Sequence, residues 1–131
     1  MIGLDTNILV RHLVQDDPVQ SPKATEFIEQ RLTERDPGFI TTVVMAETAW
    51  VLERVYALAD DEVAAAIERI LQIEVLVVEN ESDIFTAMMA VREGRGSFAD
   101  ALIGAINAQA GCSRTVTFDR KALRLPGFEL L

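Results

Sequence analysis

The chain has 131 residues, half of them hydrophobic and a quarter charged, a globular rather than a disordered balance. One cysteine, Cys112, and one histidine, His12, exclude an intrachain disulfide, multi-cysteine metal sites and paired-histidine catalysis within a chain. The net charge of −9 is uneven, −11 over residues 1–91 and +2 over residues 92–131, so it does not exclude a nucleic-acid partner. Roughly two-thirds of the unfolded surface can be buried at this length, which predicts one domain over residues 1–131. No apolar stretch is long enough to span a membrane, and the expectation is a soluble, cytoplasmic protein.

Met1–Leu4 is a short apolar run closing on Asp5 and suits a buried strand, with a helix following over Asn7–Val14. Ser21-Pro22 predicts a helix start, serine as N-cap and proline in the first turn. Pro37-Gly38 breaks the chain before a short strand, Phe39-Ile40-Thr41, and a long helix is expected over Thr42–Tyr56. Asp60-Asp61 opens another, with Val63, Ala66, Ile67, Ile70 and Leu71 on one face. Val75–Val78 reads as a strand buried on both faces of a parallel sheet. Helices follow over Ser82–Glu93 and Phe98–Ala110, then a strand at Thr115–Phe118, a short helix opened by Asp119 and a terminal strand, Phe128–Leu131. Strands alternating with helices predict an α/β sandwich on a mainly parallel central sheet of four to five strands. In such sheets sites gather beyond the carboxyl ends of the strands.

Four carboxylates fall at or near that edge. Asp5 and Asp119 each close a strand, where an aspartate often only caps the next helix. Ser97-Phe98-Ala99-Asp100 fits a capping box, in which the acid reaches back to the N–H of the cap residue. Glu47 has Val43, Val44, Trp50 and Val51 as helical neighbours, and on a buried apolar face its charge would need a partner or a cation. If the four converge, mutual repulsion calls for a divalent cation, and an all-oxygen set suits Mg²⁺ or Mn²⁺. His12 and Cys112 receive no chemical role, and the Met88-Met89 pair reads as core or contact surface. Trp50 and Tyr56 suit packing or a subunit interface.

At these acids the chain resembles the PIN-domain ribonucleases, specifically the VapC-type toxins of toxin–antitoxin pairs. Ile2-Gly3-Leu4-Asp5-Thr6-Asn7 is similar to the family's opening, and Thr41–Glu47 to the segment carrying its glutamate. Phe98-Ala99-Asp100-Ala101-Leu102-Ile103 and Thr117-Phe118-Asp119-Arg120 are similar to its third and fourth acidic motifs. Relatives often carry a further acid where this chain has Ser97, which leaves open one metal ion or two. The resemblance implies a PIN-like three-layer sandwich and metal-dependent cleavage of RNA by activated water. It also implies a homodimer and a cognate VapB-type antitoxin. By motif, Asp5, Glu47, Asp100 and Asp119 would hold Mg²⁺ or Mn²⁺, with Asn7 and Thr117 orienting carboxylates or water behind them. Arg92, Arg95, Arg114, Arg120 and Arg124 are candidates for gripping RNA phosphates. Phe27, Met45 and Val55 are candidates for an exposed antitoxin surface. Two other readings stand beside this one: a PIN-type nuclease of RNA processing or decay without antitoxin, and a non-enzymatic module whose acids are caps and whose acidic surface docks a basic partner.

Overall fold

Strand β1 is only Ile2–Gly3, and the chain leaves it through Asp5, the N-cap of helix α1 (Thr6–Val14). The computed structural model describes all 131 residues. Helix α2 (Gln20–Glu26) winds into a wider π-type turn at Phe27–Arg31, and β2 (Gly38–Ile40) brings the chain back beside β1. Helices α3 (Thr42–Arg54) and α4 (Asp60–Leu71) then carry it to β3 (Leu76–Val78). Helices α5 (Glu81–Arg92) and α6 (Phe98–Gln109) lead to β4 (Thr115–Thr117), a 3₁₀ turn at Arg120–Arg124 and β5 (Phe128–Leu130).

All strand pairing is parallel. β1, β2 and β3 form one sheet in that order, with Gly3 beside Phe39 and Phe39 beside Val77. β4 and β5 form a separate pair, Val116 beside Glu129. The result is the expected α/β architecture of parallel strands flanked by helices, with the five strands divided three and two. Helix α3 packs on α1, α4 and α6, and α5 packs on α4 and α6. Leu9, Ile40, Met45, Leu52, Ile67 and Phe98 fill the core between them. Where α6 crosses β5, a Cβ on Gly104 would stand 2.6 Å from the Phe128 ring, so only glycine allows this approach unchanged.

The elements from α3 onward start and end within two residues of their expected positions, and two expectations of local detail change, the start of α2 and the burial of β3. The start of α2 is held by Asp17, whose Oδ1 accepts the N–H groups of Val19 and Gln20 at 2.9 and 2.7 Å. Ser21 lies inside the helix and is buried, because the loop before α2 already supplies the acceptor. β3 is an edge strand with one neighbour, so Val77 is 43 % exposed rather than buried on both faces. Tyr56 is tied locally: its hydroxyl donates to Asp16 at 2.9 Å while its ring packs on the core. His12 meets the Thr25 hydroxyl at 2.9 Å, and burial, then the Arg69 charge, lower its pKa. Met88 is core.

Ile67 on α4 has no exposed surface. Ile67→Ala is expected to cost about 2–5 kcal/mol, for the lost apolar contacts plus the cavity left behind. Denaturant unfolding checks this; a loss well under 1 kcal/mol would mean that α4 is not clamped between α3 and α5.

Candidate functional site

Helix geometry decides which face of α3 meets the core. Met45, Thr48, Ala49 and Leu52 point inward, and Glu47 lies off that stripe. Glu47 is therefore exposed, and so are its neighbours Val43 (75 %) and Trp50 (54 %). This corrects the expectation of a carboxylate on a buried apolar face: the apolar neighbours are present, but they face outward. What holds Glu47 is the hydroxyl of Thr6, the first residue of α1, which donates to its Oε1. Thr6 is buried, and sequence reasoning assigned it no role. Its position directly after Asp5 was the available signal.

Two hollows adjoin the carboxyl ends of the strands. The first, about 320 Å³, is lined by Asp5, Thr6, Asn7 and Glu47 together with Arg11 and Tyr56. The second, about 720 Å³, holds Asp100 and Asp119 together with Glu53 and Asp60. The structure thus brings the expected acids together as two pairs. No group of three acid, histidine or cysteine side chains is drawn close enough to hold a metal ion as placed.

Each carboxylate has a distinct local state. Asp5 Oδ1 accepts the Thr6 N–H at 2.8 Å, and Asp119 Oδ1 accepts the Lys121 N–H at 2.9 Å. Both are caps, and each commits one oxygen. Thr117 supports Asp119 from behind, its hydroxyl accepting the Asp119 N–H at 3.0 Å. Asp100 is different. The Ser97 hydroxyl accepts the Asp100 N–H at 3.2 Å, but the return bond of a capping box, from the Ser97 N–H to the acid, is not formed. The Asp100 carboxylate is left free. The return half alone occurs in α4, where the Ala59 N–H donates to Glu62 at 3.0 Å and the alanine side chain has nothing to accept with. Hard oxygen donors with uncommitted lone pairs fit a divalent cation by their chemistry.

Cationic side chains share the larger hollow. Arg120 and Arg124 line it without an ion pair, as do Arg54 and Lys121, which were not singled out as phosphate contacts. Arg95 lines it too, paired with Glu93 at 2.9 Å. Arg92 and Arg114 do not belong to it: Arg92 pairs with Glu68 at 2.7 Å and Arg114 with Glu129 at 3.3 Å. Of the apolar surface candidates, Met45 is fully buried and is withdrawn, Phe27 is half-buried, and Val55 is 65 % exposed.

Glu53 is the carboxylate that sequence reasoning missed, for nothing local distinguishes it from any helix-surface acid. Its Oε1 is buried with no hydrogen-bond partner. Burial raises its pKa above the ordinary 4.5, and the Asp60 and Asp100 charges push the same way, against the pull of the Phe98 N–H and Arg54.

A parallel α/β fold thus gathers carboxylates and cations at one end of its strands. Residues 2–127 match the PIN domain family, and the chain belongs to it. That membership gives the protein a nuclease fold, in a family that typically uses divalent metals. No curated protein sequence matches the chain significantly.

The raised pKa of Glu53 has a defined sign. The folded protein takes up this proton before the unfolded chain does, so ionised Glu53 opposes folding. Its contribution improves as pH falls through the folded value towards 4.5. Glu53→Gln is therefore expected to melt above the parent at neutral pH, with the gap closing near pH 4.5. A gap of the same size at both ends of a thermal series would show that charge is not its cause.

Proposed function

We propose that the chain is a Mg²⁺- or Mn²⁺-dependent endoribonuclease, a single nuclease domain over residues 1–131, and the toxin of a VapBC-type toxin–antitoxin pair. The observation that carries this reading is the free Asp100 carboxylate in a hollow shared with Asp119 and unpaired cations, in a chain of the PIN family.

Asp5, Glu47, Asp100 and Asp119 would hold the ion or ions. When bound, a divalent cation supplies Lewis acidity and lowers the pKa of water. The chain's own groups do the rest. Thr6 fixes the orientation of Glu47 through its hydroxyl, and Thr117 fixes the turn that carries Asp119. Asn7, exposed beside Asp5 and Glu47, orients a carboxylate or water in the smaller hollow. Arg54, Arg120, Lys121 and Arg124 draw in the RNA backbone and offset the local carboxylate charge that would repel it. Arg95 is a further phosphate contact once it releases Glu93.

The partner reading is supported by the exposed apolar side chains of α3. Val43 and Trp50 lie on the same helix as Glu47, and Val55 directly follows its last residue, so an antitoxin or a second copy of the chain seated there would lie beside the acids. The toxin acts as a homodimer in this reading, and its inhibitor covers this face.

Three measurements test the proposal. Mg²⁺ or Mn²⁺ at a hundredfold excess over its dissociation constant should stabilise the folded protein by about 2.7 kcal/mol. Asp100→Asn should shrink that stabilisation and reduce RNA cleavage at least about a hundredfold, without lowering the metal-free melting temperature, since one charge of a repelling set is removed. A variant that cuts RNA at the parent rate would return Asp100 to a helix-start residue. Replacing Arg120 or Lys121 with alanine should each lower the slope of log affinity against log salt by about 0.7 for single-stranded RNA, while Arg92→Ala should leave it unchanged. Equal effects from all three would deny the larger hollow a special role.

A further inference from the structure

Asp5 and Glu47 make up only part of the smaller hollow. Val10 of α1, Val51 of α3, and Val55 and Tyr56 just beyond it give the same space an apolar wall. A hard cation is held by oxygen donors and gains nothing from valines. The wall suits a part of the substrate that has an apolar face of its own. At about 320 Å³ the hollow lies at the small end of ordinary ligand pockets, with room for one flat ring system rather than a folded segment.

Two residues of this hollow are held in place before any ligand arrives. The Tyr56 hydroxyl donates to Asp16 Oδ2 at 2.9 Å and accepts from Arg11 Nη1 at 3.3 Å. Arg11 also donates from Nε to Gln20 at 2.8 Å and from Nη1 to Asp16 Oδ1 at 3.3 Å. An aromatic ring anchored at its hydroxyl is a ready stacking surface and loses little freedom on binding. The two N–H groups of Arg11 Nη2 have no partner within the chain. A group that only donates, set beside a stacking surface, favours a base with a carbonyl oxygen. Guanine carries one at O6, where adenine has an amino group from which a guanidinium cannot accept.

We propose that the smaller hollow is a nucleobase subsite. The unpaired RNA base beside the scissile phosphate stacks on Tyr56 among the three valines, and Arg11 Nη2 donates to its carbonyl oxygen, favouring guanine over adenine. The inference rests on the reading of the chain as a ribonuclease and adds to it how the place of cutting is chosen. Asp5 and Glu47 share the hollow, so a base seated there brings its own phosphate to the acids.

The chain has one tyrosine, so its ring signals are unambiguous in an NMR spectrum. GMP, IMP and AMP are titrated separately into the metal-free full chain, with ribose 5-phosphate as the base-free control. GMP and IMP, which both carry O6, should shift the Tyr56 ring signals and bind about tenfold more tightly than AMP, the worth of one charge-assisted hydrogen bond. Ribose 5-phosphate should leave the ring signals unmoved. Tyr56→Leu should weaken GMP binding about tenfold through the lost stack, and Tyr56→Phe, which keeps the ring, should stay within about threefold of the parent. Arg11→Gln should erase the preference for GMP, because an amide accepts as well as donates. Ends mapped on RNA cut with Mn²⁺ should show the same preference for guanine.

Ring signals unmoved by all three nucleotides overturn the proposal and leave the apolar wall to the protein partner proposed for α3. Equal affinity for GMP and AMP, a preference that survives Arg11→Gln, or cut sites indifferent to guanine overturn it as well. GMP bound as described to a protein that cuts no RNA supports the subsite and defeats the ribonuclease reading. RNA cleavage by a protein whose Tyr56 ring ignores every nucleotide defeats the subsite alone.

Discussion

Every strand in this protein pairs in parallel, and that constraint organises the rest. Parallel neighbours cannot be joined by a tight turn, so the chain must return through a helical crossover each time. The corners where strands give way to helices therefore collect on one edge. Asp5 follows β1, the segment leading to Glu47 follows β2, and Asp119 follows β4. A site assembled from residues far apart in sequence is a direct outcome of this winding. Short strands of two or three residues suffice because the helices supply most of the buried surface.

The same corners explain how acids tolerate crowding. A helix start offers unpaired N–H groups and a partial positive charge, so a carboxylate there is partly compensated before any ion arrives. Asp5 and Asp119 draw on this directly through one oxygen each. Asp100 does not, and Glu47 leans on a hydroxyl instead. The four acids are thus held with different firmness. The remaining cations in the larger hollow come from α3, the Gly94–Ser97 loop and the 3₁₀ turn after β4, so the electrostatic balance of the hollow depends on three separate packing relationships.

What could be read from the sequence was whatever is decided locally. Apolar spacing and breaker residues placed α4, α5 and α6 closely, since periodicity and caps act within a few residues. The start of α2 was misread because Ser21 and Asp17 are both competent caps, and only the path of the loop chooses between them. Glu47 shows a deeper limit. Its apolar neighbours predict burial, yet helices leave some large apolar side chains outside, and which face turns inward is set by α1, α4 and α6. The arginines divide for the same reason. Arg92 and Arg114 are claimed by Glu68 and Glu129 from other elements, and Glu53 gains its surroundings only when α6 docks. The pairing of acids into two hollows is a property of packing, and no spacing along the chain encodes it.

Cys112, the lone thiol, is exposed just beyond the C-terminal end of α6. The helix between it and Asp100 rises about 1.5 Å per residue. One end of this rigid rod lies in the larger hollow, and the other carries the single thiol of the chain. A fluorophore or spin label joined there would sit about one helix length from the acids, too distant to obstruct them. A chemical handle of this kind turns α6 into a built-in ruler, anchored at one end to the site and readable at the other.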